Sequence, residues 1–125
     1  MAMTALARNY GKGPLPMSSI ASTKNIPLRF LEGILLQLKN NGLLRSSRGI
    51  DGGYFLERPP EKITLKEIVE VTEGSLSYVS CLEECATPIC EFGWDMENCG
   101  IRSFFSEVFS SVDNKLSSTT LSDLI

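Results

Sequence analysis

Four cysteines, Cys81, Cys85, Cys90 and Cys99, are the only ones in a chain of 125 residues. All lie in one stretch, SCLEECATPICEFGWDMENCG, among Pro, Gly, Asn and acidic residues, with little helical periodicity. Cysteines are often buried singly as small hydrophobes, which fits four in one polar stretch poorly. Clustered thiolates ligate zinc or iron–sulfur centres, and an all-thiolate site suits either. The same residues without metal could form a thiol–disulfide switch. The chain has no histidine, so Ser/His and Cys/His catalysis and histidine ligation are excluded. No phosphate-cradling glycine loop is present either. The chain therefore reads as a binding protein rather than an enzyme, with no small-molecule substrate.

The elements that must position these thiols lie on both sides. Before them the chain reads as helices and one hairpin. Met1–Tyr10 is a short helix stopped by Gly11 and Gly13. Pro14–Pro16 reads as a turn, and Met17–Thr23 as a second short helix. Pro27 opens a third, where its missing N–H is harmless. Its apolar face is Leu28, Leu31, Ile34, Leu35 and Leu38. Asn40, Asn41 and Gly42 close it, since Asn or Gly accepts a left-handed backbone. Helix, short turn, helix is the helix-turn-helix plan. Leu43–Ser47 and Tyr54–Glu57 read as two strands joined by a turn at Arg48–Gly53, and a hairpin in this place is a wing. Arg48 at a narrow, glycine-flanked projection suits a DNA minor groove. Thr64 and Glu67 then make a capping box. The helix they open is lined by Leu65, Ile68, Val69 and Thr72 and stopped by Gly74.

After the cysteines, Ile101, Phe104, Phe105, Val108, Phe109, Val112 and Leu116 make one wide apolar stripe. Glu107, Asp113, Asn114 and Lys115 are expected on the opposite side. A stripe with three phenylalanines calls for a surface to cover it, and a second copy of the chain is the expected one. Leu121, Leu124 and Ile125 form a last apolar patch. The fold class expected is thus mainly α with a small β-hairpin: a winged helix-turn-helix, a cysteine loop and a long dimerisation helix. The corresponding divisions are 1–80, 81–99 and 100–125.

Net charge is −3, which alone looks wrong for a nucleic-acid binder. The average hides an asymmetry. Residues 1–60 carry eight Lys/Arg against three carboxylates, a balance of +5, and residues 61–125 carry four against twelve, a balance of −8. A basic front half implies a polyanion such as double-stranded DNA. No apolar run approaches the roughly 20 residues that span a bilayer, and no charged-then-apolar signal opens the chain. A cytoplasmic location without membrane contact is expected, where reducing conditions favour metal or redox chemistry over a disulfide framework.

The stretch IPLRFLEGILLQLKNNGLLRSSRGIDGGYFLERPPEKITLKEIVEVTEG resembles the core of the IscR/NsrR/CymR family of bacterial winged-helix regulators, the Rrf-two family. The R-G-x-x-G-G-Y wing is the strongest signature, and the final T-L-S-D-L-I is similar to the family's ending. The resemblance spans nearly the whole chain. It implies a homodimeric transcription regulator in which Arg29, Phe30 and Glu32 hold recognition-helix positions and Arg48 the wing arginine. The full DNA-binding set expected is Ser18, Pro27, Leu28, Arg29, Phe30, Glu32, Arg48, Gly49, Gly52 and Gly53. Many members hold a 2Fe–2S or 4Fe–4S cluster on three cysteines; others use no cluster and respond to partners or thiol chemistry. By position Cys81 matches the first ligand and Cys99 the third, with Cys85 or Cys90 the second. The stretch is longer than usual here, and the extra cysteine is a candidate fourth ligand. Where some members place a ligating histidine, this chain has Arg102. The family's opening strand and the start of its first helix have no counterpart in this sequence, so the position of the early acidic residue that some members use as ligand falls outside it.

Overall fold

The computed structural model describes residues 1–75, Leu82 and residues 97–125. Cys81, Cys85 and Cys90 lie outside the described residues. In chain order the described elements are α1 (Ala2–Arg8), α2 (Met17–Lys24), α3 (Leu28–Asn40), β1 (Leu44–Ser47), β2 (Gly53–Leu56), α4 (Leu65–Glu73) and α5 (Gly100–Ser118). Short 3-10 turns lie between β2 and α4 at Pro60–Lys62 and after α5 at Leu121–Leu124. The mainly helical class with one hairpin is as the sequence predicts. No helix among the described residues is long and apolar enough to cross a membrane.

The core forms because each element keeps one apolar side. Ala2, Met3, Leu6 and Ala7 of α1 meet Ile20 and Ala21 of α2 and Leu31, Leu35 and Leu38 of α3. Leu43, Leu44, Leu56 and Ile63 close it from the hairpin side, and no polar residue is buried among the described residues. Each fully buried leucine contributes roughly 1.5–3 kcal/mol. Leu28 is the exception on the predicted α3 face: it is 52% exposed. It opens the helix at the turn after Pro27, where the chain has not yet come down onto the core.

Tight turns set the angles between elements. Asn25 ends α2 in the left-handed region, φ 50 and ψ 45, a conformation its short polar side chain tolerates. The Ile26 N–H then donates to the Ala21 carbonyl at 3.0 Å. Gly42, at φ 74, turns α3 into β1. The hairpin pairs antiparallel with Leu44 opposite Leu56 and Ser47 opposite Gly53.

Leu15 extends this sheet where the sequence predicts only a turn. Its N–H donates to the Tyr54 carbonyl at 2.8 Å, and the Tyr54 N–H donates back at 2.9 Å. The two prolines flanking Leu15 hide so short a strand from any pattern-based reading. The contact decides a residue identity, because a Cβ on Gly53 would overlap the Leu15 carbonyl.

The capping box of α4 forms as expected. The Glu67 N–H donates to Thr64 Oγ1 at 3.3 Å, and the Thr64 N–H donates to Glu67 Oε2 at 2.9 Å. The end of the chain returns to the same place. The Leu65 N–H donates to the Thr119 carbonyl at 2.9 Å, and the Leu121 N–H to the Ile63 carbonyl at 2.8 Å. Leu121 thereby enters the core at 1% exposure, while Leu124 and Ile125 stay exposed. The expected last apolar patch is therefore divided, because a backbone bridge seats its first member between Ile63 and α1.

Candidate nucleic-acid interface

The side of α3 away from the core carries the residues predicted to touch DNA. Arg29, Phe30 and Glu32 are exposed, Phe30 at 64%, and Pro27 and Leu28 stand beside them. A helix whose Leu31, Leu35 and Leu38 are fixed in the core holds these outward groups in rigid register. Ser18 is exposed in the first turn of α2, a helix whose N-cap position is Pro16 and which has no side-chain cap. One glycine in the same outer region, Gly33, was not singled out by spacing or charge. Gly33 sits in the middle of α3, where glycine costs about 1 kcal/mol relative to alanine, and an added Cβ would meet nothing within 4 Å. Its signal in the sequence is a glycine inside an otherwise strong helix.

The wing presents Arg48 immediately after β1 and exposed. Gly49 has φ 113, a backbone that L side chains rarely adopt. Gly52 and Gly53 are packed against the Ser47 and Leu15 backbones, so the chain itself requires both. Ile50 at the tip is fully exposed, beside Asp51.

Ion pairs separate structural cations from available ones. Arg45 pairs with Glu57 across the hairpin. Arg58 donates to Glu67 at 2.7 Å and to the Lys62 carbonyl at 3.2 Å, tying the end of the wing to the start of α4. Burial works against the Glu67 charge, but hydrogen bonds from the Thr64 N–H and from Arg58 outweigh it and hold the carboxyl below its usual pKa. No ion pair among the described residues engages Arg29 or Arg48.

The apolar stripe of α5 is split into two faces. Asp113, expected on the polar side, is half-buried and holds Lys66 of α4 at 2.7 Å. That contact is the chief cause of a raised Lys66 pKa. It identifies the face of Phe105, Phe109, Asp113 and Leu116 as the inner one, and all four are half-buried. Phe105 stacks on Phe109 with centroids 6.0 Å apart. Ile101, Phe104, Val108 and Val112 form a second line and remain exposed, Ile101 at 69% and Phe104 at 61%. Three- and four-residue steps drift around a helix, so one long stripe serves two surfaces.

Of the four predicted ligands, Cys99 is described: it is half-buried and forms the N-cap position of α5. Among the described residues no group of three His, Cys, Asp or Glu comes together, and the other three thiols lie outside them.

The arrangement has close relatives. The regulator CymR of Bacillus subtilis (strain 168) is 37% identical over 122 residues, covering 98% of this chain and 80% of that protein. The solved structure of CymR, described as the global cysteine regulator of B. subtilis, superposes with a TM-score of 0.78 at 36% identity, over 98% of this chain and 85% of that one. The solved structure of T. potens IscR gives 0.77 at 32% identity, over 98% and 77%. The family described as Rrf2, iron-dependent transcriptional regulator, matches residues 1–125. The outward residues of α3, the wing beside them and this match over residues 1–125 give one conclusion: the chain belongs to the Rrf2 family and is a transcriptional regulator rather than an enzyme.

Proposed function

We propose that two copies of this chain bind a near-palindromic DNA site, each laying α3 in the major groove and its wing against the adjacent minor groove. The observation that carries this is the exposed set Arg29, Phe30 and Glu32 on a helix whose other side is locked in the core. Arg29 and Glu32 suit base edges. Pro27 and Leu28 bring the helix start to the groove, and Ser18 at the uncapped start of α2 suits a phosphate. Arg48 contributes charge to the minor groove, while Gly49, Gly52 and Gly53 shape the projection that carries it. The second copy covers Ile101, Phe104, Val108 and Val112. Functionally the chain divides into a reader at 1–80, a sensing stretch at 81–99 and a pairing helix with its tail at 100–125, at work in the cytoplasm. Binding to a selected duplex should weaken steeply as salt rises, as expected for phosphate neutralisation. Binding indifferent to salt would refute the reading.

The cysteine stretch is the sensor in this proposal. Its all-cysteine donor set, in a chain without histidine, fits an Fe–S cluster on Cys81, Cys90 and Cys99, with Cys85 as candidate fourth ligand. The family's description as iron-dependent supports that choice. Such a cluster, held by those thiolates, would supply an iron centre open to oxidation, to nitric oxide and to iron loss. Cys99 occupies the N-cap position of α5 without a side-chain cap hydrogen bond, so ligation or oxidation of its sulfur bears on the backbone that starts the pairing helix and, through it, on the spacing of the two readers. Anaerobic reconstitution with iron and sulfide should give visible absorption that is lost in Cys99→Ala and should alter DNA affinity. A second reading keeps the regulator and replaces the cluster with a thiol–disulfide switch or structural zinc. The similarity to CymR, whose Staphylococcus aureus form has been solved in an oxidized form, favours the thiol form. Wild type that takes up no iron, yet changes DNA affinity on oxidation, would select it.

A further inference from the structure

Gly33 occupies the centre of the outer face of α3. With about 100° between successive residues, it lies roughly opposite the line of Leu31, Leu35 and Leu38 that is buried in the core. Its neighbours on that face are Arg29 one turn earlier and Leu36 and Gln37 one turn later, all exposed. Phe30 and Glu32 flank it on either side. An added Cβ would meet nothing within 4 Å, and the backbone there is ordinary helix. Neither packing nor backbone strain calls for glycine, while helix stability disfavours it. The outermost point of the helix is thus bare backbone framed by side chains suited to reading bases.

We infer that Gly33 sets how deeply α3 enters the major groove: its backbone lies against the base edges, and a side chain there would hold the helix away. The inference rests on the DNA-binding reading above. Duplex DNA is the occupant the surface favours, because Arg29 beside Gly33 has no ion-pair partner among the described residues and the front half of the chain is basic. A second copy of the chain already has the exposed line on α5 to occupy.

The test compares full-length wild type with Gly33→Ala in three measurements. These are selection from a random-sequence duplex library, titration of the selected duplex at fixed salt, and the urea midpoint. The expected result has opposite signs. The midpoint stays level or rises, while affinity for the wild-type site falls by about tenfold or more. The base pairs selected by the variant change beneath that turn of the helix. Affinity within about twofold of wild type and an unchanged selected sequence would overturn the inference while leaving DNA binding intact. Lost binding with a lowered urea midpoint would overturn it too, since glycine would then serve the fold. A changed sedimentation coefficient in Gly33→Ala would assign the bare backbone to a subunit contact instead. Wild type that selects no duplex would remove the DNA-binding reading itself.

Discussion

Leu121 is 1% exposed and is held by the bridge from its N–H to the Ile63 carbonyl. Leu121→Ala should lower unfolding free energy by about 2–5 kcal/mol, read by urea denaturation. The neighbouring exposed Leu124 should tolerate the same change far better. Glu67 makes a subtler prediction. Its folded pKa lies below the usual carboxylate value because Thr64 and Arg58 bond the charged form against the effect of burial. The stability it contributes is therefore present above the unfolded pKa and disappears as pH falls through the lower folded value. The advantage of wild type over Glu67→Gln in urea midpoint should shrink on acidification across that window; a constant gap would refute it. Arg48 and Glu32 differ in kind. Arg48→Ala should weaken binding to all duplexes together, whereas Glu32→Ala should change which base is preferred, at about 1–3 kcal/mol per lost pairing. Parallel titrations on a selected site and single-base variants separate the two effects.

Among the elements, α5 shows how one amphipathic pattern divides. Its inner line packs on α4 through Asp113 and Lys66, and its outer line is open to solvent. The placement makes the test of pairing specific. Phe104→Asp and Val108→Asp put charge on the outer line and should give a folded monomer in sedimentation, with unchanged helical circular dichroism. Phe109→Asp strikes the inner face and should also lower stability. A wild-type monomer at micromolar concentration would refute pairing through this line. The wing is braced at three points. Leu15 pairs with Tyr54, Arg45 with Glu57, and Arg58 with Glu67. A projection braced on its strand, its base and the next helix can hold Arg48 in a fixed position relative to α3.

On the scale of the whole molecule, contacts bring the exit of the wing and the C-terminal segment to one place at α4. The start of α4 meets the Arg58 side chain, the Thr119 carbonyl and the end of α5. A change in the angle of α5 therefore bears on the segment that leaves the wing, without any intervening flexible joint among the described residues. The charge asymmetry matches this layout. Among the described residues Arg29 of α3 and Arg48 of the wing have no ion-pair partner, while two carboxylates of the back half, Glu67 and Asp113, are engaged with Arg58 and Lys66.

The sequence by itself determined the class of fold, the order of its elements and the regulator family. Periodicity, capping residues and the R-G-x-x-G-G-Y wing are local signals, and local signals are written in consecutive residues. The capping box at Thr64 and the helix-turn-helix at Asn25 needed nothing else. Tertiary structure decided which members of each apolar set became core. Leu28 and Leu31 share a pattern, yet one is exposed and the other buried. Leu121 is buried because Ile63 accepts a hydrogen bond from it across the fold, and Leu15 joins the sheet because Tyr54 lies beside it. Asp113 moved to the inner face because Lys66 waits there. In each case the deciding partner lies far along the chain, and periodicity carries no information about distant partners.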